Sequence, residues 1–316
     1  FKGKKFLVTG GAGLLGLSLT KKLTSLNHNV ISTYHNRLPP KKYDDVFAKY
    51  DFNHYEDCIK ATKNIDYVII SAVQASGVSG VIQNPTSTIL PNLKIHAGLF
   101  EACAANNVKK VVWISSSSVY QEYNKPINES ILNLNVQPYD LYLGIGWVYR
   151  YLEQLANCYY VKRKLKIGII RTANIYGPFD RFDDYKSHVI PALIKRALKK
   201  EKPFIVWGDK NTTRDFVYAD DLSSAIVNVL NGELNAQPIN YSSGKGVTIE
   251  NLVKTILEQA NHPVNANFDI NKPSAVPYRV LNNDLYNKIY GNDKKTSLDQ
   301  GIKNTIEWYN SKEFRE

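Results

Sequence analysis

Gly10, Gly13 and Gly16 are spaced G-x-x-G-x-x-G between the apolar run Lys5-Phe6-Leu7-Val8-Thr9 and a stretch where Leu15, Leu19, Leu23 and Leu26 recur at helical intervals. Such a turn must tolerate positive φ and let backbone N–H groups approach an anion, which then meets the positive end of the following helix. With Leu14 and Leu15 opening that helix, it is read as a pyrophosphate cradle for a dinucleotide. Ala72, just past an apolar run at 65–71, is placed on the same lip. At the end of the next strand an NAD-preferring protein usually carries Asp or Glu for the adenosine ribose 2′-hydroxyl. Here the stretch is Tyr34-His35-Asn36-Arg37. Arg37 can pair with a 2′-phosphate through its fork of donors, so NADP is weakly favoured over NAD. Asp51 is a candidate acceptor for the adenine amino group, or a plain turn residue.

A second group of chemistry-bearing residues lies in Val111-Val-Trp-Ile-Ser115-Ser116-Ser117-Ser118-Val119-Tyr120. It puts hydroxyls at the carboxyl end of a buried strand, the edge where open α/β sheets bind ligands. Farther on come Pro138-Tyr139-Asp140-Leu141-Tyr142, Arg171-Thr-Ala-Asn174-Ile-Tyr-Gly177-Pro178 and Ser187-His188-Val-Ile-Pro191-Ala-Leu-Ile-Lys-Arg196. Val206-Trp207-Gly208 and Arg214-Asp215-Phe216 complete the set. Guanidinium forks suit a diphosphate, short hydroxyls suit a sugar, and imidazole suits a proton shuttle near neutral pH.

The elements that must position these residues alternate strand and helix through residue 178. The expected fold is α/β: a Rossmann doubly wound parallel sheet with a smaller, partly interleaved C-terminal substrate lobe. Residues 1–178 would form the dinucleotide-binding domain and 179–316 mainly the substrate lobe, with about 205–235 returning to the first. A helix is expected near 188–199, short strands near 204–207 and 215–218, and helices near 249–260 and 297–309.

A formal charge of +11 admits nucleic acid, an anionic surface or an acidic small substrate as partner. The lysines are scattered and no dense basic stripe interleaves with aromatics, so nucleic acid is not expected. The three cysteines, Cys58, Cys103 and Cys158, show no metal-knuckle spacing and no disulfide framework. No apolar run approaches the ~18 residues of a membrane span, and a soluble cytoplasmic protein without bound metal is expected.

On these motifs the chain resembles the extended short-chain dehydrogenase/reductases, the NAD-dependent epimerase/dehydratase family of nucleotide-sugar enzymes, and within it the GDP-sugar epimerase-reductases. The resemblance covers nearly the whole chain. It implies that Ser116 hydrogen-bonds the sugar 4-oxygen and that His188 is an acid/base. It puts Asn174, Arg196, Trp207 and Arg214 at the sugar nucleotide and its diphosphate. A homodimer through helices near 93–105 and 142–155 is likewise implied.

Two positions depart from that pattern. The family follows its catalytic tyrosine, four residues on, with a lysine that lowers the phenol's pKa. Here Tyr142 is followed at that distance by Gly146 and Tyr139 by Leu143. A family cysteine two residues after the serine is here Ser118. The reading is therefore an NAD(P)-dependent oxidoreductase or epimerase acting around sugar C4, with a catalytically reduced nucleotide-sugar-binding or regulatory paralogue as the alternative.

Overall fold

The computed structural model describes residues 3–75, 77–183, 187–272 and 275–311. The chain begins β1 (Lys5–Thr9), α1 (Leu14–Ser25), β2 (Asn29–Tyr34), β3 (Phe47–Lys49), α2 (Tyr55–Thr62) and β4 (Tyr67–Ile70). It continues through α3 (Val78–Gln83), α4 (Ile89–Ala105), β5 (Lys110–Ser116), α5 (Leu143–Arg163), β6 (Ile167–Thr172) and β7 (Asn174–Tyr176). Next come α6 (Val189–Leu198), β8 (Phe204–Trp207), β9 (Thr213–Tyr218), α7 (Ala219–Asn231) and β10 (Pro238–Tyr241). The described chain ends with β11 (Gly246–Thr248), α8 (Ile249–Gln259), β12 (Ala266–Asp269), β13 (Tyr278–Arg279), α9 (Asp284–Tyr290) and α10 (Leu298–Asn310).

Seven parallel strands form the central sheet in the order β10-β6-β5-β4-β1-β2-β3. This is the expected doubly wound Rossmann sheet, with its switch in strand order between β1 and β4. Parallel strands covered by helices on both faces read as unbroken apolar runs. In β5, Val111 and Trp113 enter the core under α2, α4 and α5, while Val112 enters the core under α1 and α7. Trp113, fully buried, stacks on Tyr149 of α5 at 5.7 Å and meets Phe100 of α4 edge-on.

Helix boundaries differ from the sequence reading by a residue at each end of α6 and by more in α5, which runs on to Arg163. There Lys164 ends it in the left-handed region, φ 57°. Strand β8 pairs with β12, and β9 pairs with β7, β11 and β13. Together with α6, α8 and α10 these strands enclose a third core, built on Phe204, Phe216, Leu252 and Ile302. Helix α7 packs back on the central sheet, and β10 is its edge strand. Among the described residues no helix is long and apolar enough to cross a membrane.

Candidate active site

The turn after β1 is defined by close approach. Gly10 has φ +67°, and a Cβ there would lie 2.7 Å from the Ala72 Cα. Its N–H is held by Thr33 Oγ1 at 3.1 Å, while the Thr9 hydroxyl accepts from Ala72 N at 3.2 Å. Gly13 caps α1 in extended geometry, and the first turn of α1 contains no acidic residue. The N–H groups of a first helical turn and the helix dipole suit an anionic ligand. Gly16 sits one turn into α1, where a Cβ would overlap the Gly10 carbonyl oxygen and lie 2.6 Å from the Gly11 Cα. The residues present therefore fit a dinucleotide pyrophosphate. Gly16→Val is expected to push α1 off the turn and weaken nicotinamide-cofactor binding at least ~100-fold, about 2.7 kcal/mol, as read by fluorescence titration. Leu14 starts α1, and Leu15 is buried in the core behind it.

At the far lip Arg37 donates through Nη2 to the Phe179 carbonyl at 2.8 Å, so its guanidinium bridges β2 to the turn after β7. Asp51 Oδ1 accepts from the backbone and side chain of Asn53, and His35 and His54 stand 3.5 and 3.6 Å from Oδ2. A cavity of about 380 Å³ lined by Tyr34, Leu38, Pro39, Lys41 and Phe47 opens along this stretch.

The second group of chemistry-bearing residues lies at the carboxyl edge of β5 and β6. Side chains alternate there: Ser115 points back to Glu153 at 2.7 Å, while Ser116 turns the other way and accepts from Ser118 N at 3.1 Å. Among the described residues the Ser118 hydroxyl is buried without a partner. Thr172, the register partner of Ser116, is 5% exposed and its hydroxyl likewise has no partner among the described residues. Buried hydroxyls without partners are costly unless something else binds them.

Tyr142 is the N-cap of α5, its ring 6.2 Å from that of Tyr139. Burial raises its phenol pKa, with the charges of Arg214 and Arg279 opposing that shift. One turn on, a Cβ at Gly146 would lie 2.6 Å from both the Ser118 carbonyl oxygen and the Pro138 Cβ. The space that a side chain at this position would enter is thus filled by the Ser118 carbonyl and the Pro138 ring. Arg150 does not replace it, because its Nε and Nη1 donate to the carbonyls of Val119 and Val136 at 2.7 and 2.6 Å.

Helix α3 packs against the turn bearing Tyr142, and the Ser187 carbonyl lies 3.6 Å from a Cβ built on Gly77, the cap of α3. The segment carrying His188 therefore borders the same mouth. His188 caps α6, and its Nδ1 stands 3.1 Å from Oδ1 of the buried Asp180. That bond raises the histidine pKa against the opposing effect of burial.

Of the residues read as sugar-nucleotide contacts, Arg214 on β9 is 6% exposed; Nη1 donates to the Thr213 carbonyl and Nη2 has no acceptor among the described residues. Directly opposite in the β9–β13 register lies Arg279, 3% exposed and held at 3.2–3.3 Å by the Tyr120 and Gln121 carbonyls. Sequence reasoning missed Arg279, whose two-residue strand leaves no periodic signal. Among the described residues neither guanidinium ion-pairs with a carboxylate. The charge of Glu122 acts on Arg279 without forming an ion pair among the described residues; two adjacent buried cations remain costly, and an anion between them would stabilise both. Arg196 is otherwise engaged, its guanidinium taken by Glu201 at 2.6 and 2.8 Å and by the Ile205 carbonyl. Asn174 donates to the Asp215 carbonyl. Trp207 is 57% exposed, with the Lys272 ammonium 5.5 Å from its ring centroid.

The chain is 27% identical over 317 residues to GDP-L-fucose synthase 1 of Arabidopsis thaliana, covering 98% of this chain and 94% of that one. It is 29% identical over 280 residues to GDP-L-fucose synthase of Escherichia coli, covering 81% and 84%. In fold it matches UDP-glucose 4-epimerase of Thermotoga maritima, solved with UDP-glucose, at TM-score 0.87 and 24% identity, covering 99% and 100%. The model of the NAD dependent epimerase/dehydratase family matches residues 6–242, from β1 through β10, and the chain belongs to that family.

Proposed function

We propose that this protein binds NADP or NAD together with a nucleoside-diphosphate sugar, GDP-linked, and acts as an oxidoreductase or epimerase around the sugar C4. The observation that carries the reading is the pair of buried guanidinium groups, Arg214 and Arg279, which form no ion pair with a carboxylate among the described residues and whose charges act on Tyr142. A diphosphate there would pair with both guanidinium groups, with Trp207 open to stack on a base and Asn174 at the rim. The lobe from 179 onward, apart from the segment returning as α7 and β10, would hold the nucleotide. When bound, the nicotinamide supplies a hydride donor or acceptor. Ser116 would orient the 4-oxygen, Tyr142 would carry the hydroxyl proton, and His188 would serve as a second acid/base, with Ser118 beside them. The similarity to GDP-L-fucose synthases along almost the full chain supports the GDP moiety.

The space closed at Gly146 favours a second reading, a nucleotide-sugar-binding or regulatory paralogue with reduced turnover. One preparation separates the two. Nicotinamide absorbance is followed on adding GDP-sugars; a spectral change abolished by Tyr142→Phe, with cofactor still bound, supports the enzyme. Sugar-nucleotide binding without any spectral change supports the paralogue.

We also propose a homodimer through α4 and α5, which expose Leu90, Leu143, Trp147 and Tyr151. The three cysteines are free thiols, in keeping with a cytoplasmic location.

A further inference from the structure

The turn between β7 and α6 holds a buried carboxylate against the ring of His188. Asp180 is 3% exposed, whereas the side chain of His188 is 47% exposed, and the two meet only through Nδ1, at 3.1 and 3.4 Å from the carboxylate oxygens. Asp180 Oδ1 also accepts from the Arg181 backbone N–H at 2.7 Å, which fixes its orientation. No bond to Nε2 is present among the described residues.

We propose that Asp180 is the positioning residue for His188, holding the imidazole in its Nδ1–H tautomer so that Nε2 is the nitrogen that exchanges a proton with the substrate. The inference rests on the reading of His188 as an acid/base. Its first step follows from hydrogen-bond chemistry. An ionised carboxylate has only acceptors, so the nitrogen facing it must carry the proton. The lone pair of neutral His188 then lies on Nε2. When Nε2 takes up a proton, the imidazolium remains bonded to Asp180, and the ring neither rotates nor changes partner.

The charged groups around the pair are Arg181 and Asp183 on the same turn and Arg37 from the end of β2. Arg37 is tied to the Phe179 carbonyl, one residue before Asp180, so the cofactor lip and the histidine share one turn. Hydrogen bonding to Asp180 raises the His188 pKa while burial and Arg181 lower it. The sign is therefore defined: Asp180 extends the protonated form to higher pH, and its removal moves the titration to lower pH.

The test has two arms on the full-length protein. In the first, without substrate, ¹H–¹⁵N spectra of the histidine rings are recorded against pH, with His188 assigned through His188→Gln. The wild type is expected to show the Nδ1–H tautomer when neutral. Asp180→Asn is expected to titrate at lower pH, and Asp180→Glu to restore the tautomer at least in part. An unchanged midpoint and tautomer in Asp180→Asn, with the fold intact by circular dichroism, would overturn the proposal. So would an Nε2–H tautomer in the wild type.

In the second arm, GDP-sugar turnover is measured against pH. Asp180→Asn is expected to lower kcat roughly 10-fold or more with little change in KM, to move the profile to lower pH, and to cost nothing further in a His188→Gln background. Equal losses in both backgrounds would indicate a merely structural role and overturn the proposal. Absence of turnover in the wild type would instead count against the proposed enzyme activity, and the spectroscopic arm would still decide the role of Asp180.

Discussion

Glu153→Gln is expected to lower the unfolding free energy by about 3–5 kcal/mol, the cost of leaving one member of a buried ion pair uncompensated. Glu153 on α5 and Arg171 on β6 meet through two bonds, Nε to Oε1 at 2.9 Å and Nη2 to Oε2 at 2.6 Å, with side chains only 2% and 4% exposed. Ser115 donates to the same carboxylate at 2.7 Å, so the pair ties α5 to β5 as well as to β6. Arg171 Nη1 donates to the Tyr120 hydroxyl at 2.8 Å, and that hydroxyl donates to Asn240 Oδ1 on β10 at 2.7 Å. Glutamine keeps a hydrogen bond but leaves the Arg171 charge in a medium that solvates it poorly. Denaturant unfolding monitored by circular dichroism measures the loss. The double variant Glu153→Leu with Arg171→Met is expected to recover most of it, because no charge is then left buried. Equal stability of Glu153→Gln and the wild type would show that the pair contributes nothing net.

Gly146→Lys is expected to destabilise the protein by about 3 kcal/mol and to leave turnover no higher than in the wild type. Restoring the family lysine would ordinarily aid a tyrosine base, since an ammonium one turn away lowers the phenol pKa. Here a Cβ at 146 would press on the Ser118 carbonyl and on Pro138, both part of a folded segment and neither the end of a flexible chain. Helix α5 would have to move outward from the turn at 117–119, taking its cap Tyr142 with it. The checks are a thermal melt and the initial rate with GDP-sugars. A gain of tenfold or more in rate at unchanged melting temperature would show that α5 accommodates the side chain.

The elements legible in the sequence were those with a repeated signal. The strand–glycine–helix unit at residues 5–25 and the apolar runs of β4 and β5 follow from chain periodicity, as does the amphipathic α6. Strand β10 gave no such signal: Pro238-Ile-Asn-Tyr is short and half polar, and Asn240 is buried there because Tyr120 and the Ile127 carbonyl satisfy it. Strand β13 is two residues long and is defined only by its partner β9.

The sequence by itself determined the glycine turn, the hydroxyls at the end of β5, the imidazole at the start of α6 and the absence of lysine after Tyr142 or Tyr139. These depend on residue type and local spacing alone. The tertiary structure decided where the charges go. It turned Arg196 to Glu201 and Arg37 to a carbonyl, set Arg279 beside Arg214, and placed Asp180 against His188. Guanidinium and imidazole groups take whichever acceptor lies within hydrogen-bond reach. That acceptor comes from a strand or turn distant in sequence, so no local pattern encodes the choice.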